Sequence, residues 1–424
     1  MQTRLPQKLL ETHHGQRADE ILRRCVHCGF CNATCPTYQI SGDELEGPRG
    51  RIYLIKEMLE GKQISATTEQ HLDSCLTCQS CETTCPSGVG FAELMEIGRS
   101  HLDQLGQRKV NIRLKRWLMR KVFTRPKLLK PLFLLSTLMG AISHHRKIWP
   151  HPNDKPAANK STDIFAAKPP VSQADETNKK VILLDGCVQS VTAPNINDSL
   201  CELLNSIHIQ AIRYTQVSCC GALDHHNGDE HTAMSHIKRN IDTWWKDIQN
   251  GAEAIIMSAS GCGVMVKDYQ RLLAHDPEYA VKAKRVSQLT QDASEFFSQH
   301  SFTHKGEPQT VAFHAPCTLT HGQQINGVVE SILRQSGHHV VSFRDKHLCC
   351  GSAGTYSLLH PDTAVTLRTN KLRNIEQQQP DVIATANIGC LMHLQKGTET
   401  PVRHWLELVA IKATMEKNLC NQMK

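Results

Sequence analysis

The sequence predicts a multidomain α+β protein in which an α-helical N-terminal module precedes a duplicated α/β domain. Two internal repeats carry this prediction. A run of four cysteines that ends in Cys-Pro occurs twice within the first 90 residues. A longer pattern, in which a short apolar strand leads to a cysteine and then to Cys-Cys-Gly, occurs twice after residue 180. With 424 residues, the chain is long enough for two or three domains with cores of their own.

The two N-terminal runs are Cys25-Val-His-Cys28-Gly-Phe-Cys31-Asn-Ala-Thr-Cys35-Pro36 and Cys75-Leu-Thr-Cys78-Gln-Ser-Cys81-Glu-Thr-Thr-Cys85-Pro86. Each spells C-x2-C-x2-C-x3-C-P, with which two-cluster bacterial ferredoxins bind [4Fe-4S] clusters, the fourth cysteine ligating the other cluster. We therefore predict that Cys25, Cys28, Cys31 and Cys85 hold one cluster, and that Cys75, Cys78, Cys81 and Cys35 hold the other. Structural zinc is the weaker alternative, because it has no role for the third cysteine or the Cys-Pro fourth.

The linker between the two runs is predicted to be helical. Residues 52–59 carry apolar side chains at helical spacing, and Gly61 follows as a plausible helix end. Residues 17–24 predict a further short helix before the first run, so residues 1–104 are interpreted as a mostly α-helical ferredoxin. Arg49 and Arg51 are candidates to offset the negative charge of a reduced cluster, or equally two solvated arginines.

A basic segment follows at residues 105–150. The formal net charge of the chain is +7, and no Asp or Glu occurs in residues 105–153. The apolar stretch at 131–142 is too short to span a bilayer, which takes about 20 residues. Two interpretations stay open: a basic amphipathic helix on an anionic membrane surface, or a helix packed between domains or on a partner. Under the membrane interpretation, replacing Arg113, Lys115, Arg116 and Arg120 with Gln should release the protein from inner-membrane fractions.

Beyond a Pro- and Asn-rich linker at 151–180, strands and helices alternate in the manner of parallel α/β domains. Residues 181–184 and 254–257 predict buried strands, and residues 196–207 and 231–248 predict helices between them. The strands at 311–314 and 382–385 repeat the pattern. We predict a first Cys-Cys-Gly repeat at 181–305 and a second at 306–424.

Four cysteines of each repeat occupy matching positions: Cys187, Cys219, Cys220 and Cys262 in the first, and Cys317, Cys349, Cys350 and Cys390 in the second. Thirty-one residues separate the first two members of each set. Because parallel sheets place ligands at the carboxyl ends of their strands, both sets are expected to line one cleft, as a further cluster or redox site. Buried structural thiols are the alternative, which suits Cys201 and Cys420 because they have no counterpart.

Two adjacent thiols can face one site only in an unusual turn, which Gly221 and Gly351 are suited to provide. Among the histidines, His225, His226 and His314 lie near these cysteines in the sequence. We interpret His314 as a hydrogen-bond donor to a ligand in preference to a ligand itself.

Other observations limit the function. There is no G-x-G-x-x-G after a strand, and no convincing Ser-His-Asp or paired-carboxylate arrangement, so no catalytic residue is predicted in this chain. No nucleic-acid-binding motif accompanies the basic segment, and nucleic acid is not an expected partner. Residues 1–15 are polar and lack the apolar region of a secretory signal. A cytoplasmic protein with reduced thiols is expected, either in solution or peripherally bound to the inner membrane.

The double cysteine run with Glu46-Gly-Pro-Arg-Gly-Arg51 between its copies, followed by two Cys-Cys-Gly tripeptides, resembles the iron-sulfur subunits of bacterial glycolate oxidase. The resemblance covers the chain from about Ala18 onward and is most specific at residues 75–88 and 349–356. It implies an electron-transfer subunit whose flavin-containing partner subunits, carrying FAD, oxidise glycolate to glyoxylate and whose electrons pass to a quinone or another respiratory acceptor.

The wider group includes subunits of anaerobic glycerol-3-phosphate dehydrogenase, lactate-utilisation proteins and heterodisulfide reductase subunits. The heterodisulfide reductase pattern ends each repeat in C-x2-C, but here Met265 and His393 stand where the fifth thiol would be. Two rival hypotheses accompany the electron-relay hypothesis. In one, the Cys-Cys-Gly cleft itself reduces a thiol or quinone. In the other, the N-terminal clusters serve only to fold the module and dock partners.

Overall fold

The fold is that of a computed structural model, which describes residues 1–63, 65–105, 110–142, 179–214, 219–300, 307–410 and 422–423. The described part of the N-terminal module is helical, as predicted. Its α-helices are α1 (Gln7–Leu10), α2 (His13–Arg24), α3 (Pro36–Ser41), α4 (Pro48–Leu59), α5 (Ala66–Asp73), α6 (Ser80–Thr84) and α7 (Phe91–Gln104). Short 3-10 helices at Phe30–Thr34 and Glu44–Glu46 complete it.

Helix α4 joins the two cysteine runs and confirms the predicted helical linker. Pro48 occupies its first turn, where a missing amide proton costs nothing. Ile52, Ile55 and Leu59 recur on one face and are buried against α2 and α7 in a common apolar core. The helix ends before Gly61, whose φ of 86° reverses the chain. The two cysteine runs are thereby brought to the same end of the module.

Two basic helices, α8 (Val110–Phe123) and α9 (Pro126–Ile142), follow the module. None of the helices in the described ranges is long and apolar enough to cross a membrane. The structure corrects the expectation that Arg116 and Arg120 belong to a solvated basic face. Arg116 is buried and forms an ion pair with Asp73 at 2.8 Å, and Arg120 reaches Asp229 at 3.6 Å. Helical phase turns both side chains toward the body of the protein.

Each Cys-Cys-Gly repeat contains its own parallel sheet. The first consists of β1 (Lys180–Leu183), β2 (Gln210–Tyr214), β3 (Ala254–Met257) and β4 (Thr290–Asp292), and the second of β5 (Thr310–His314), β6 (His339–Val341), β7 (Val382–Thr385) and β8 (Val402–His404). The strand orders are β4-β3-β1-β2 and β6-β5-β7-β8, which are the same topology. The duplicated α/β prediction is confirmed. A C-terminal strand, β9 (Gln422–Met423), pairs in parallel with β2, a pairing that the sequence did not predict.

Helices cover these sheets. Those of the first repeat are α10 (Gln189–Thr192), α11 (Asn195–Ser206), α12 (Ala222–His226), α13 (Glu230–Gln249), α14 (Ser260–Lys267), α15 (Tyr269–Leu272), α16 (Ala280–Leu289) and α17 (Ala293–Phe297). Those of the second are α18 (Val328–Gln335), α19 (Tyr356–Leu359), α20 (Pro361–Glu376), α21 (Ile388–Gln395) and α22 (Trp405–Val409), with a π-helical turn at Thr318–Gly322. The helices predicted at 196–207 and 231–248 correspond to α11 and α13.

The two repeats share one apolar core. Val181 and Ile256 of the first sheet belong to the same group of buried side chains as Val311 and Ile383 of the second. The neighbouring residues of β1 and β3 face the other way and pack against α13 and α14. This alternation is the period of two that a strand imposes. It holds the repeats together so that the carboxyl ends of their strands open on a common side, where the cysteines lie.

Candidate iron-sulfur and cysteine site

Two cavities lie within the N-terminal module, and cysteines line both. The first, here called the surface cavity, is lined by Cys25, Cys28, Cys31, Cys81 and Cys85. The second, the inner cavity, is lined by Cys35, Cys75, Cys78 and Cys81. Apart from Cys81, which lines both, the surface cavity takes the last cysteine of the second run and the inner cavity takes the last cysteine of the first, in agreement with the exchange expected from the spacing. Four sulfurs around each cavity fit the ligand set of a [4Fe-4S] cluster.

The two runs follow the same backbone path. Positive φ angles occur at His27 and Gly29 in the first run and at Thr77 and Gln79 in the second, which are the same two positions after the leading cysteine. These left-handed residues fold each run into a tight loop that turns its cysteines inward. Three of the four are non-glycine residues, for which this conformation is uncommon. The sequence alone carried no sign of them, because only Gly29 is a residue that favours such angles.

Crowding of the sulfurs has an electrostatic consequence. Burial, together with the neighbouring Cys25, Cys85 and Cys28, raises the pKa of Cys31 to about 11. Burial also raises the pKa of Cys78 and Cys81 well above the ordinary value of a thiol. Thiolates so close together repel one another and are disfavoured until a cation compensates their charge. A site built this way favours a metal or cluster that carries the compensating positive charge.

Arginines line both cavities. Arg49 borders the surface cavity and pairs with Glu44, whereas Arg51 borders the inner cavity and is almost completely buried. The Nη1 atom of Arg51 lies 4.0 Å from the sulfur of Cys35, and its Nη2 atom pairs with Glu46 at 2.7 Å. Arg51 therefore places positive charge beside the inner sulfurs at a depth where water screens it little.

The Cys-Cys-Gly tripeptides form the same special turn in both repeats. Gly221 and Gly351 have φ angles of 92° and 90°. Their amides donate hydrogen bonds of 3.4 Å to the sulfurs of Cys219 and Cys349, respectively. A side chain at Gly351 would place its Cβ 2.6 Å from the carbonyl oxygen of Ala364. The positive φ is the unusual turn expected of glycine at these positions, and both cysteines of each pair line the same large cavity, described below.

In the first repeat, the four sulfurs interact pairwise. The hydrogen bond with Cys219, together with burial, raises the pKa of Cys187 well above its ordinary range, and the hydrogen bond with Cys262, together with burial, does the same for Cys220. Around them, Asn240 donates a hydrogen bond of 2.9 Å to the carbonyl of Cys219, and the Tyr269 hydroxyl donates one of 2.7 Å to the carbonyl of Cys220. These bonds hold the backbone of the turn.

In the second repeat, Cys317, Cys349, Cys350 and Cys390 form the corresponding group. His314 lies within 4.8 Å of the sulfurs of Cys350 and Cys390, measured from a ring nitrogen. The Asn387 side chain donates to the sulfur of Cys390 at 3.8 Å. Lys371 is buried on α20 and close enough to these cysteines to interact electrostatically. Burial, Lys371 and His393 lower the pKa of His314 well below its usual value.

One large cavity joins these groups. It has a volume of about 700 Å³ and is lined by the eight repeat cysteines named above together with Cys75 and Cys78 of the inner cavity. The module and the second repeat are in direct contact there. Leu76 packs with Cys349 and Tyr356, and Cys78 and Cys317 lie against the same apolar group. The neighbouring Cys317 contributes to the raised pKa of Cys78. The inner sulfurs therefore adjoin the second repeat.

His225 and His226 contribute to an interface rather than to the cysteine groups. The Nε2 atom of His225 lies 3.2 Å from a carboxylate oxygen of Glu96 on α7, and Arg271 pairs with the other oxygen at 2.8 Å. Burial lowers the pKa of His226 to about 4. Cys201 is buried and disulfide-bonded, so the expectation that it is a free structural thiol is wrong, and Cys420 lies outside the described residues.

Sequence reasoning missed Lys371, Asn387 and Asn240. The available signal was the alignment of the two repeats on each other, which places these residues beside the cysteine groups. Nothing local marks them, because a lysine or asparagine in a helix is ordinarily solvated.

Two family models match the chain. The model described as a 4Fe-4S dicluster domain matches residues 21–89, and the model described as a cysteine-rich domain matches residues 181–267 and 311–395. The chain is 43% identical over 412 residues to the glycolate oxidase iron-sulfur subunit of Escherichia coli (strain K12), covering 96% of this chain and 98% of that one. It is 27% identical to the probable glycolate oxidase iron-sulfur subunit of Bacillus subtilis (strain 168), covering 94% of both.

A more distant similarity, of 24% identity over 420 residues, links the chain to a dihydromethanophenazine:CoB–CoM heterodisulfide reductase subunit from Methanosarcina barkeri (strain Fusaro). It covers 92% of this chain and 93% of the relative.

Fold and site together define an iron-sulfur protein in which a two-[4Fe-4S] ferredoxin module is joined to a duplicated cysteine-rich domain. The cofactors of the module are two [4Fe-4S] clusters. The chain belongs to the family of glycolate oxidase iron-sulfur subunits.

Proposed function

We propose that this chain is the electron-transfer subunit of a glycolate oxidase complex. Its flavin-containing partner, carrying FAD, oxidises glycolate to glyoxylate, and this chain passes the electrons toward a quinone or another respiratory acceptor. The observation that carries the proposal is the succession of cysteine sites: a cavity near the surface, an inner cavity, and the large cavity of the repeats. When bound, the clusters supply the one-electron steps between flavin and acceptor.

The proposed ligands are those assigned by the spacing. Cys25, Cys28, Cys31 and Cys85 hold the cluster of the surface cavity, and Cys75, Cys78, Cys81 and Cys35 hold that of the inner cavity. The exposure of Cys28 supports entry of electrons at the surface cavity, because a partner can approach it closely. Arg51 supports retention of an added electron at the inner cavity by placing a buried positive charge beside Cys35.

We extend the proposal to the repeats. The cysteines of the predicted domains at 181–305 and 306–424 hold a further cluster or redox site, which receives electrons from the inner cavity. The contact of Cys78 with the second repeat supports this order, since short distances favour electron transfer.

A second candidate is a reductase in its own right. The large cavity favours it, because about 700 Å³ lined by cysteines has room for a small substrate. Residues at the two positions of the missing fifth thiol count against disulfide chemistry: Met265 is buried, and His393 bonds the carbonyl of Ala364 at 3.1 Å.

We also propose that α8 and α9 rest on an anionic membrane surface, the cytoplasmic face of the inner membrane. Val110, Leu114 and Trp117 are between 47% and 79% exposed and recur on one face of α8. Leu128, Leu132 and Leu135 are likewise exposed and recur on one face of α9. Exposed cations flank both faces, and residues 105–153 contain no acid. Exposed apolar side chains within a purely basic segment are complementary to an acidic lipid surface.

The relay is tested with the complex purified anaerobically with its flavin subunits. Glycolate should reduce two [4Fe-4S] clusters, as measured by electron paramagnetic resonance, whereas lactate and glycerol 3-phosphate should not. The Cys78→Ser variant should lose the inner cluster and at least tenfold of the acceptor reduction, while glycolate still reduces the surface cluster. Cys28→Ser is the matched control, because it should remove the surface cluster instead. Clusters that stay oxidised under turnover, or full activity of Cys78→Ser, would contradict the relay.

A further inference from the structure

The two repeats are equivalent in topology, and at three of the positions where they differ near the cysteines the second repeat has the more polar residue. The Cys-Cys-Gly turns establish the correspondence, because Gly221 faces the carbonyl of Ala233 and Gly351 that of Ala364. Counting from these anchors and from the cysteines, Leu184, Asn240 and Ala259 of the first repeat correspond to His314, Lys371 and Asn387 of the second. Each change makes the second site more polar.

His314 differs most from its counterpart. It is 0% exposed at the end of β5, and neither ring nitrogen has a hydrogen-bond partner among the described residues. A buried polar group without a partner destabilises the folded protein, so such a residue needs an explanation. The counterpart, Leu184, packs in an apolar core where it needs no partner.

Two other buried histidines have ordinary partners. His404, also 0% exposed, contacts the carbonyl of Ser258 at 2.9 Å and accepts a bond from the Leu406 amide at 3.3 Å. His393 contacts the carbonyl of Ala364 at 3.1 Å. Among the buried histidines of the described residues, His314 alone has both ring nitrogens unpartnered, and one of them lies within 4.8 Å of both the Cys350 and the Cys390 sulfurs.

We propose that His314 is a ligand of the metal centre in the second repeat and gives it a mixed imidazole–thiolate ligand set, most directly with Cys350 and Cys390. This inference rests on the proposed function only in placing a redox centre in that repeat. It replaces the interpretation of His314 as a mere hydrogen-bond donor, because a ring nitrogen and the sulfurs of Cys350 and Cys390 all lie within 4.8 Å of one another, a spacing that a shared metal ion can bridge. As a ligand within reach of two sulfurs, it has a direct role.

The changes at the other two of these positions point the same way. Replacing thiolate by imidazole raises the potential of an iron-sulfur centre, and so do nearby positive charge and hydrogen bonds to sulfur. Lys371 supplies buried charge, and Asn387 donates to Cys390 at 3.8 Å. At the equivalent positions the first repeat has a neutral amide and a methyl group. The second repeat, which adjoins the inner cavity through Cys78, is therefore the more oxidising of the two.

The test uses the full chain in its complex, prepared anaerobically and labelled with ¹⁵N-histidine. Metal analysis should find more than the roughly eight irons of two cubes. Pulsed electron paramagnetic resonance across a redox titration should detect one centre coupled to a histidine nitrogen. His314→Leu should lose that coupling and the metal in excess of the cubes, or retain the metal at a lower midpoint potential. His314→Cys should keep the metal, without coupling and at a lower potential.

His393→Leu is the control, because His393 stands at the position of the missing thiol and is the competing imidazole. It should retain the nitrogen coupling. The inference is overturned if the protein contains only the iron of the cubes, if no centre couples to nitrogen at any potential, or if the coupling survives in His314→Leu. Failure of the relay is distinguishable, since it would leave the coupling intact while glycolate reduced neither cube.

Discussion

Two arginines two residues apart have different roles because a helix separates their directions. Arg49 and Arg51 both lie in the first turn of α4, where a spacing of two turns the side chains about 200° apart. Arg49 is 36% exposed and pairs with Glu44. Arg51 is 1% exposed and bonds Glu46, Ser74 and the carbonyl of His71 at 2.7 to 3.0 Å. Because Arg51 is buried, it stabilises the module through these bonds as well as placing positive charge beside the inner cavity.

Replacing Arg51 with Met should therefore destabilise the module strongly. It removes the Arg51–Glu46 ion pair and leaves the half-buried Glu46 only His71 and Ser74 as partners, and breaking a buried pair usually costs about 3–5 kcal/mol. The matched variant, Arg49→Met, breaks an exposed pair and should cost about 0–1 kcal/mol. Denaturant unfolding, followed by loss of cluster absorbance under anaerobic conditions, measures both. Equal effects of the two substitutions would show that burial of Arg51 is not what matters.

At the scale of elements, α8 and α9 each have two faces. Val110, Leu114 and Trp117 point outward, whereas Arg116 turns inward to Asp73. Substituting all four cations first suggested by the sequence would mix two effects, because the changes at Arg116 and Arg120 remove ion pairs within the protein. The informative positions are cations that the structure leaves exposed.

Replacing Arg113, Lys127 and Lys130 with Gln should weaken binding to anionic vesicles. Each cation near such a surface contributes about 1 kcal/mol, so three together amount to roughly a hundredfold in affinity. Co-sedimentation with vesicles containing phosphatidylserine measures the effect, and added salt should weaken wild-type binding as well. Lys284→Gln with Arg285→Gln, on exposed positions of α16, is the control. The membrane proposal fails if both sets of substitutions leave binding unchanged.

In the whole molecule, a charged network joins the module to the first repeat. Although burial alone would lower the pKa of His225, its hydrogen bond with Glu96 raises it. Despite burial, the same bond and Arg271 hold the pKa of Glu96 far below its usual value. Arg271 also pairs with Asp268, and Arg17 pairs with Glu93 at 2.7 Å. Ionised groups thus hold the N-terminal module against the first repeat, and this arrangement keeps the inner cavity beside the second repeat.

The stabilisation from His225 should depend on pH. A histidine whose folded pKa is raised stabilises fully below its unfolded value of about 6.5 and loses this contribution as pH rises through the folded value. Glu96 contributes above about 4.5, its unfolded value, and loses its contribution only in strong acid. The difference in unfolding free energy between wild type and His225→Gln should therefore shrink between pH 6 and 9, from roughly 2 kcal/mol.

The control for this series is His231→Gln, at an exposed position of α13, which should give no such trend. A wild-type advantage that is constant with pH would mean that His225 acts through packing and not through its charge.

Much of this protein was predictable because its signals are local. The spacing of the two cysteine runs constrains which sulfurs reach a common cluster, and the cavities group them accordingly. The apolar period between the runs predicted α4, and the equal intervals between cysteines predicted two repeats of the same topology. Chain geometry over a few residues or strand periodicity is enough for each of these conclusions.

The sequence by itself therefore determined the helical module, the duplication and the cysteine spacing from which the cluster ligands are proposed. Only the tertiary structure decided that Cys78 adjoins the second repeat, that Arg116 turns inward, and that His314 lies unpartnered beside two sulfurs. These contacts join residues up to hundreds of positions apart. No local propensity encodes them, because they depend on how whole elements pack and on which polar groups that packing buries without a hydrogen-bond partner.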